Sequence, residues 1–375
     1  MKEILLGLSG LLVIPTFVYG VYSLAVLFHK DKERHFSLSR FPKITVFFPA
    51  LNEEKVIDMK IRNLTELDYP KELFEVIVVD DASTDNTSQA CYDAFKKYAI
   101  KGLVLKNKVR KGVNYNYNLA IKTSKTEIIL TTDADVIFEK NAIKEGLKVL
   151  LSSEKIGAVC GELKPVITKK SIATSTEAPY RNVYGKMCSW ESSLESSYCF
   201  NGPLILLKKK TFSPINPSRG ASDASCALKI LSNGFQTKYV SSMKFSELIA
   251  TSLKEQKRQK IRRATRLLQC TWDAKNLLFK GIFGWIVFPL RYLMFFVSPL
   301  AFFIGSFSLI VYLFLESTMF GAIASLIFMG LFLFGQLKEN FLSSFVWHQY
   351  YLLMGVLNMF KPNYTWKPIE RKVLK

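Results

Sequence analysis

Histidine is scarce in this chain: only His29, His35 and His348 occur, and none stands near an acidic cluster. A histidine-ligated metal centre is thereby excluded from the middle of the sequence, and any cation there must be held by oxygen. The six cysteines all fall between 91 and 270, with no CxxC pair or other metal spacing. In a cytosolic domain they predict reduced thiols and no structural bridge. Acidic residues are also few, 31 against 51 basic ones, for a formal charge of +20. Such an excess suggests a polyanionic partner: nucleic acid, an anionic leaflet or phosphorylated substrates. With 49% apolar and 13% aromatic residues, disorder is excluded as the main state.

Charge is missing altogether from residues 4–28, a run of the length a tilted helix needs to cross a bilayer. No small-x-small cleavage site precedes the charged flank at 29–35, so a retained anchor is predicted rather than a cleaved signal. Pro15 is tolerable inside such a span. A second apolar region extends from near Gly281 to Phe360. Its cleanest spans, 297–315 and 318–334, are separated by Glu316-Ser-Thr and contain no charge, which argues against a transporter. Residues 285–296 carry Pro289 and Arg291, and 341–360 carry Trp347, His348 and a Tyr pair; both read as interfacial. Basic residues at 254–263 and 361–375 flank this region, so both flanks are expected in the cytosol and two crossings between them. The sequons at Asn63 and Asn86 are then out of reach of glycosylation.

Residues 43–245 alternate short apolar strands with helical patterns, the mark of a mainly parallel α/β sheet. Ile44-Thr-Val-Phe-Phe48 and Glu75-Val-Ile-Val-Val79 read as buried strands, with others at 103–105, 127–131, 158–161 and 204–207. Helices are predicted over 115–123, 141–151, 175–195 and 222–233, and Ile57, Ile61 and Leu64 share one helical face. Ligands of open α/β sheets bind beyond the carboxyl ends of the strands. Polar groups gather there: Pro49-Ala-Leu-Asn-Glu53, Asp80-Asp81 and Asp133-Ala-Asp135.

Asp133 and Asp135 offer oxygen ligands suited to Mg2+ or Mn2+, completed by phosphate and water. Asp80 and Asp81 either accept hydrogen bonds from a nucleobase and ribose or belong to a capping turn. Arg110, Lys111, Asn114, Asn116 and Asn118 are candidate diphosphate donors, or an ordinary basic helix start. Asp223 precedes an apolar helical pattern and is either a cap or a general base. The basic run 256–263 either binds anionic lipid beside the membrane or clamps a departing nucleotide.

Taken in order, five stretches resemble the membrane-bound glycosyltransferases of family 2, a group that includes hyaluronan, cellulose and poly-N-acetylglucosamine synthases and ceramide glucosyltransferases. They are Phe48-Pro-Ala-Leu-Asn-Glu-Glu54, Val78-Val-Asp-Asp-Ala-Ser-Thr-Asp-Asn-Thr87, Thr132-Asp-Ala-Asp135, Ser222-Asp-Ala-Ser-Cys-Ala-Leu228 with Gly234-Phe235, and Gln259-Lys-Ile-Arg-Arg263. The resemblance implies a GT-A fold, a Rossmann-like α/β domain. It places Pro49, Ala50, Glu53, Asp80 and Asp81 around the nucleoside; the cations of the basic runs, Lys111 and Arg262 and Arg263 with Gln259, are expected at the donor as well. By the same resemblance Asp135 ligates the metal, with Asp133 beside it toward the donor sugar or ribose. Asp223 corresponds to the catalytic base, and Gln259 and Arg262 to the Gln-x-x-Arg-Trp motif. Arg263 stands where that motif has Trp, and Ser222 where Glu is frequent. Gly161-Glu162 and Asn201-Gly-Pro203 look like family loops near the acceptor.

The implied division is an anchor at 1–36, a cytosolic catalytic domain at 37–265, and interfacial helices with a transmembrane hairpin and basic tail at 266–375. The implied reaction is inverting transfer from a nucleotide-diphosphate sugar, by default UDP-glucose or UDP-N-acetylglucosamine, to a lipid-linked or glycan acceptor. Its partners are the donor, the acceptor and the bilayer, not nucleic acid; in a prokaryote the membrane would be the plasma membrane. Two alternatives stay open. One is a processive polysaccharide synthase, which the replaced Trp disfavours. The other, a basic membrane-tethered scaffold, gives Asp133, Asp135 and Asp223 no role.

Overall fold

The computed structural model describes residues 1–30, 38, 40–166, 172–248, 253–337 and 341–361. Most of the charged flank after the first apolar run, and the basic tail beyond 361, lie outside them.

Strands β1 (Ile44–Ala50), β2 (Phe74–Asp80), β3 (Gly102–Lys106) and β4 (Ile128–Thr131) form a parallel half-sheet in the order β3-β2-β1-β4. It continues through β7 (Ile205–Lys208), β6 (Ile156–Val166), β8 (Gln236–Leu248) and the short β5 (Ile137–Phe138). Here β7 runs antiparallel to both neighbours, while β6 and β8 are parallel.

The strand pleat explains the layering. In β1, Val46 and Phe48 face one core and Phe47 faces the other, all fully buried. Burying such a side chain contributes roughly 1.5–3 kcal/mol before entropy is counted. The first core is closed by α3 (Glu54–Thr65), α4 (Thr87–Tyr98) and α6 (Ala142–Leu150), through Ile57, Ile61, Cys91 and Leu147. The second contains Tyr117 and Ile121 of α5 (Val113–Thr123) and Leu228 of α8 (Ser222–Ser232). It continues into side chains of α7 (Ile172–Leu194), α9 (Leu253–Asp273) and the apolar helices. The cysteines are free thiols, each buried.

At the amino terminus α1 (Lys2–Ser9) leads through a 3-10 turn into α2 (Val13–Phe28). The stretch Lys2–Phe28 is long and apolar enough to cross a membrane, as is Phe283–Glu316; Thr318–Leu333 is a shorter apolar piece. Residues 285–296, expected as a separate interfacial piece, instead continue into the following span. Here α10 (Phe288–Tyr292) and α11 (Ser298–Glu316) join through π-helical turns at Phe283–Val287 and Leu293–Val297. Pro289, which has no N–H to give the helical ladder, lies just after the first π-helical turn. Arg291 is paired with Glu191 of α7, its Nε 2.5 Å from Oε1, so its charge does not need the interface. Ser317 breaks the chain between α11 and α12 (Thr318–Leu337), as the Glu316-Ser-Thr hairpin predicts. Lys2 pairs with Glu316 at 3.0 Å, so the amino terminus meets the far end of α11. Finally α13 (Phe341–Asn358) packs against α9. That helix runs unbroken across position 265, where the sequence suggests a domain edge.

Candidate active site

The strand order reverses at β1 and β4, which makes their carboxyl ends a topological switch point. Ala50, Asp80 and Lys106 occupy one rung across three strands, and the Thr132 N–H donates to the Phe47 carbonyl at 2.9 Å. The loops after β1, β2 and β4 therefore leave the sheet side by side.

The loops after β1 and β2 are stitched together. Asn52, in the left-handed region that asparagine tolerates, donates its N–H to Ser83 Oγ at 3.0 Å and accepts from the Thr84 N–H at 2.8 Å. The Glu53 N–H donates to Thr87 Oγ1 at 2.9 Å. Asp81 accepts from the backbone N–H groups of Lys111 at 2.8 Å and Gly112 at 2.9 Å, and from Asn107 Nδ2 at 2.8 Å. Asp80, fully buried, accepts from the Ser83 N–H at 2.8 Å and from the Ser88 hydroxyl.

Beyond β4, Lys60 of α3 reaches under the acidic loop. Its Nζ donates to Thr132 Oγ1 and to the Val136 carbonyl, each at 2.9 Å, and lies 3.9 Å from the Phe138 ring centroid. The two acceptors bracket Asp133-Ala-Asp135, so the amine fixes both ends of that loop. Burial pulls the Lys60 pKa down to about 7, partly offset by Asp133. Between about 7 and the ordinary 10.5 the unfolded chain holds a proton that the folded chain has lost, so stability should rise with pH across that window. Lys60→Met is expected to flatten this rise in a pH series of thermal unfolding. On the expectation that Asp133 and Asp135 ligate a cation, the same substitution should weaken metal-dependent activity by about 10–100-fold, as losing a group behind metal ligands usually does.

Asp223 opens α8. Its Oδ1 accepts from the Ala224 N–H at 2.8 Å. A Cβ at Gly202 would stand 3.3 Å from Asp223 Oδ2, so the Asn201-Gly-Pro203 loop backs directly onto the carboxylate. Burial raises the Asp223 pKa, with the Ala224 N–H and the Arg263 charge pulling the other way. Gly220, at φ +84, turns the chain into this helix, and a Cβ there would lie 2.7 Å from Ser225 Oγ. On α9, burial and neighbouring arginines lower Arg262 to about 10, while Asp133 acts to hold it charged. Arg263 lies 4.0 Å from Glu247.

These parts share one cavity of about 1950 Å³. Pro49, Ala50, Glu53, Asp81, Lys111, Asp133, Asp135, Asp223, Arg262 and Arg263 line it; Asp80 and Gln259 are not in its wall. Among the described residues, no group of three His, Cys, Asp or Glu side chains could hold a metal. Asp133 and Asp135 nonetheless suit a hard cation whose remaining positions are filled by substrate phosphate and water.

The asparagines of α5 divide their work in a way the sequence does not show. Asn114 Nδ2 donates to the carbonyls of Asn216, Arg219 and Gly220, at 2.8–3.1 Å. Asn118 exchanges two hydrogen bonds with the Ile215 backbone. Both therefore position the segment leading to Asp223 rather than a diphosphate. Asn116 lines the cavity, and among the described residues its buried Nδ2 has no hydrogen-bond partner. Arg266, also in the wall, escapes a reading of the sequence because Ala264-Thr265 ends the basic run; its i+4 spacing from Arg262 is the signal that finds it.

Residues 45–194 match the profile described as glycosyl transferase family 2. A probable glycosyltransferase of Bacillus subtilis, YdaM, is 32% identical over 140 residues, covering 37% of this chain and 33% of its own length. The beta-monoglucosyldiacylglycerol synthase of Trichormus variabilis is 33% identical over 149 residues, 38% of this chain and 31% of its own. The match thus spans about a third of these relatives. Among solved structures, the mannosyltransferase PcManGT of Pyrobaculum calidifontis, in complex with GDP-Man and Mn2+, superposes with a TM-score of 0.75 at 21% identity. That superposition covers 94% of this chain and 99% of the other. The match to glycosyl transferase family 2 therefore lies in residues 45–194, and the chain has the GT-A fold.

Proposed function

We propose that the protein transfers one sugar from a nucleoside-diphosphate donor to a lipid-linked or glycan acceptor, with inversion, at the cytosolic face of a membrane. The observation that carries this reading is the single cavity joining the stitched β1–β2 loops, the two aspartates after β4, Asp223 and the basic face of α9.

The nucleoside fits against Pro49 and Ala50 at the end of β1 and Glu53 on the loop that Ser83, Thr84 and Thr87 hold. The diphosphate lies toward Lys111, Arg262 and Arg263, whose charges oppose its own. Mg2+ or Mn2+, held by Asp135 and Asp133 with that diphosphate, supplies neutralisation of the leaving group when bound. The acceptor hydroxyl oxygen bonds to the anomeric carbon from the face opposite the phosphate. Its proton passes to Asp223, and the carbon–oxygen bond to phosphate breaks with its electron pair on the nucleoside diphosphate. A second carboxylate nucleophile is unnecessary, which is why one displacement and inversion follow.

The test uses the full chain in nanodiscs, a panel of labelled nucleotide sugars, and Mn2+ or Mg2+ against chelator. Nucleotide release should require the metal and fall to background in Asp135→Ala. With fewer than three protein ligands in place, Mn2+ should bind tightly only when nucleotide is present. Turnover that ignores chelation and Asp135→Ala refutes the metal-assisted reading; a long product ladder refutes single transfer.

A further inference from the structure

The catalytic cavity does not end at Asp223. It continues past Cys199 and Met187 to Val26 and Leu27 of α2, Phe295 in the π turn before α11, and Leu352 of α13. Phe295 and Leu352 are only 4% and 3% exposed while Leu27 is 75% exposed, so the far part of the cavity is a slot with a buried apolar base that opens along the surface of α2. Arg291 in this wall is already paired with Glu191; the apolar residues around it match nothing in a nucleotide sugar, and α2 and the helix of Phe295 both belong to stretches long and apolar enough to cross a membrane. At the junction of the apolar and charged parts, α9 places Lys257 and Lys260 over the rings of α13. The Lys257 Nζ lies 5.3 Å from the Trp347 centroid and 4.9 Å from that of Tyr350, and Lys260 lies 5.8 Å from Tyr351. Aromatic rings with lysines are the side chains favoured at headgroup depth, and the two ammonium groups favour an anionic headgroup there.

We infer that this slot is the acceptor subsite, and that the acceptor is a membrane lipid bearing a phosphate and a free hydroxyl in its headgroup. The inference rests on the transfer reading above and names its acceptor class. The hydrocarbon enters between α2 and α13, the phosphate stops at Lys257 and Lys260, and the hydroxyl lies toward Asp223. The new bond joins that oxygen to the anomeric carbon, Asp223 takes the proton, and the nucleoside diphosphate departs with the electron pair.

Nanodiscs of phosphatidylcholine would be doped in turn with phosphatidylglycerol, a polyprenyl-diphosphate sugar or diacylglycerol, with a soluble oligosaccharide as a fourth arm. Product on either phosphate-bearing lipid, at least tenfold above the other two arms, is expected, and which of the two is used identifies the source. Product on diacylglycerol or on the soluble sugar alone overturns the inference. Donor hydrolysis to nucleotide and free sugar, with no acceptor used in any arm, also overturns it while leaving the transferase reading intact. Absence of donor turnover altogether would instead sink the transferase reading itself.

Val26→Trp fills the slot and should raise KM for the lipid tenfold or more, with KM for the donor as the comparison. Should that variant misfold, the wild-type chain still decides. A phosphatidylglycerol with a diazirine at its acyl terminus should label Phe295 and Leu352, which bulk lipid cannot reach. Labelling confined to outward residues such as Phe307 and Leu326, which are 70% and 65% exposed, overturns the proposal.

Discussion

Transfer by Asp223→Asn is expected to fall by about 10²–10⁴-fold, the usual contribution of a general base, while the protein stays folded. The substitution keeps the shape of the side chain and removes the site that accepts the proton. Its effect on stability should have the opposite sign. Burial raises the Asp223 pKa, so the folded chain holds this proton more tightly than the unfolded chain does. Such a carboxyl opposes folding once pH exceeds its raised value, and the opposition disappears below the ordinary carboxylate value. Asparagine carries no such charge, so the apparent Tm near neutral pH should be unchanged or higher. The wild-type rate should climb with pH through the raised carboxyl pKa, and the residual rate of the variant should lack that limb. Retention of the full rate by Asp223→Asn, or a loss of rate that tracks a loss of fold, would remove the base assignment.

The second large effect is expected far from the chemistry. Arg291 is 2% exposed and Glu191 fully buried. Glu191 Oε1 accepts from Arg291 Nε at 2.5 Å and from the Tyr22 hydroxyl at 2.7 Å, and Oε2 accepts from Ser197 Oγ at 2.5 Å. One carboxylate therefore ties α2 and α10 to α7 of the catalytic domain. Arg291→Met leaves that carboxylate buried without its cation, which typically costs about 3–5 kcal/mol. Glu191→Gln strands the guanidinium in the same way. The double replacement by apolar residues should recover much of the loss, because no uncompensated charge remains. Thermal unfolding of the three variants in one detergent checks this. Additive losses in the double variant would show that the pair acts through packing and not charge.

Much of the catalytic half is legible in the order of its residues. The strands at β1 and β2 announce themselves by unbroken β-branched and aromatic runs, and the acidic turns follow directly. What escapes is whatever depends on distant partners. Strand β8 carries Lys238 and Lys244, which spoil an apolar pattern; yet Lys238 is buried, donating to the carbonyls of Ser192 at 2.9 Å and Glu195 at 2.5 Å. Arg291 makes 285–296 read as interfacial because its neutralising partner lies a hundred positions earlier. Asn114 and Asn118 look like ligand donors because local spacing says nothing of the backbone segment they hold. Lys60 is invisible for the same reason: in sequence it is one more lysine on an amphipathic helix.

The stitched loops after β1 and β2 have a thermodynamic consequence. Asn52, Glu53, Asp81 and their partners hold the wall proposed for the nucleoside in one conformation before any donor arrives. Association then loses little conformational entropy on the protein side, so more of the contact energy survives as affinity. Calorimetry of nucleotide binding should show a small heat-capacity change, with no contribution from an ordering loop.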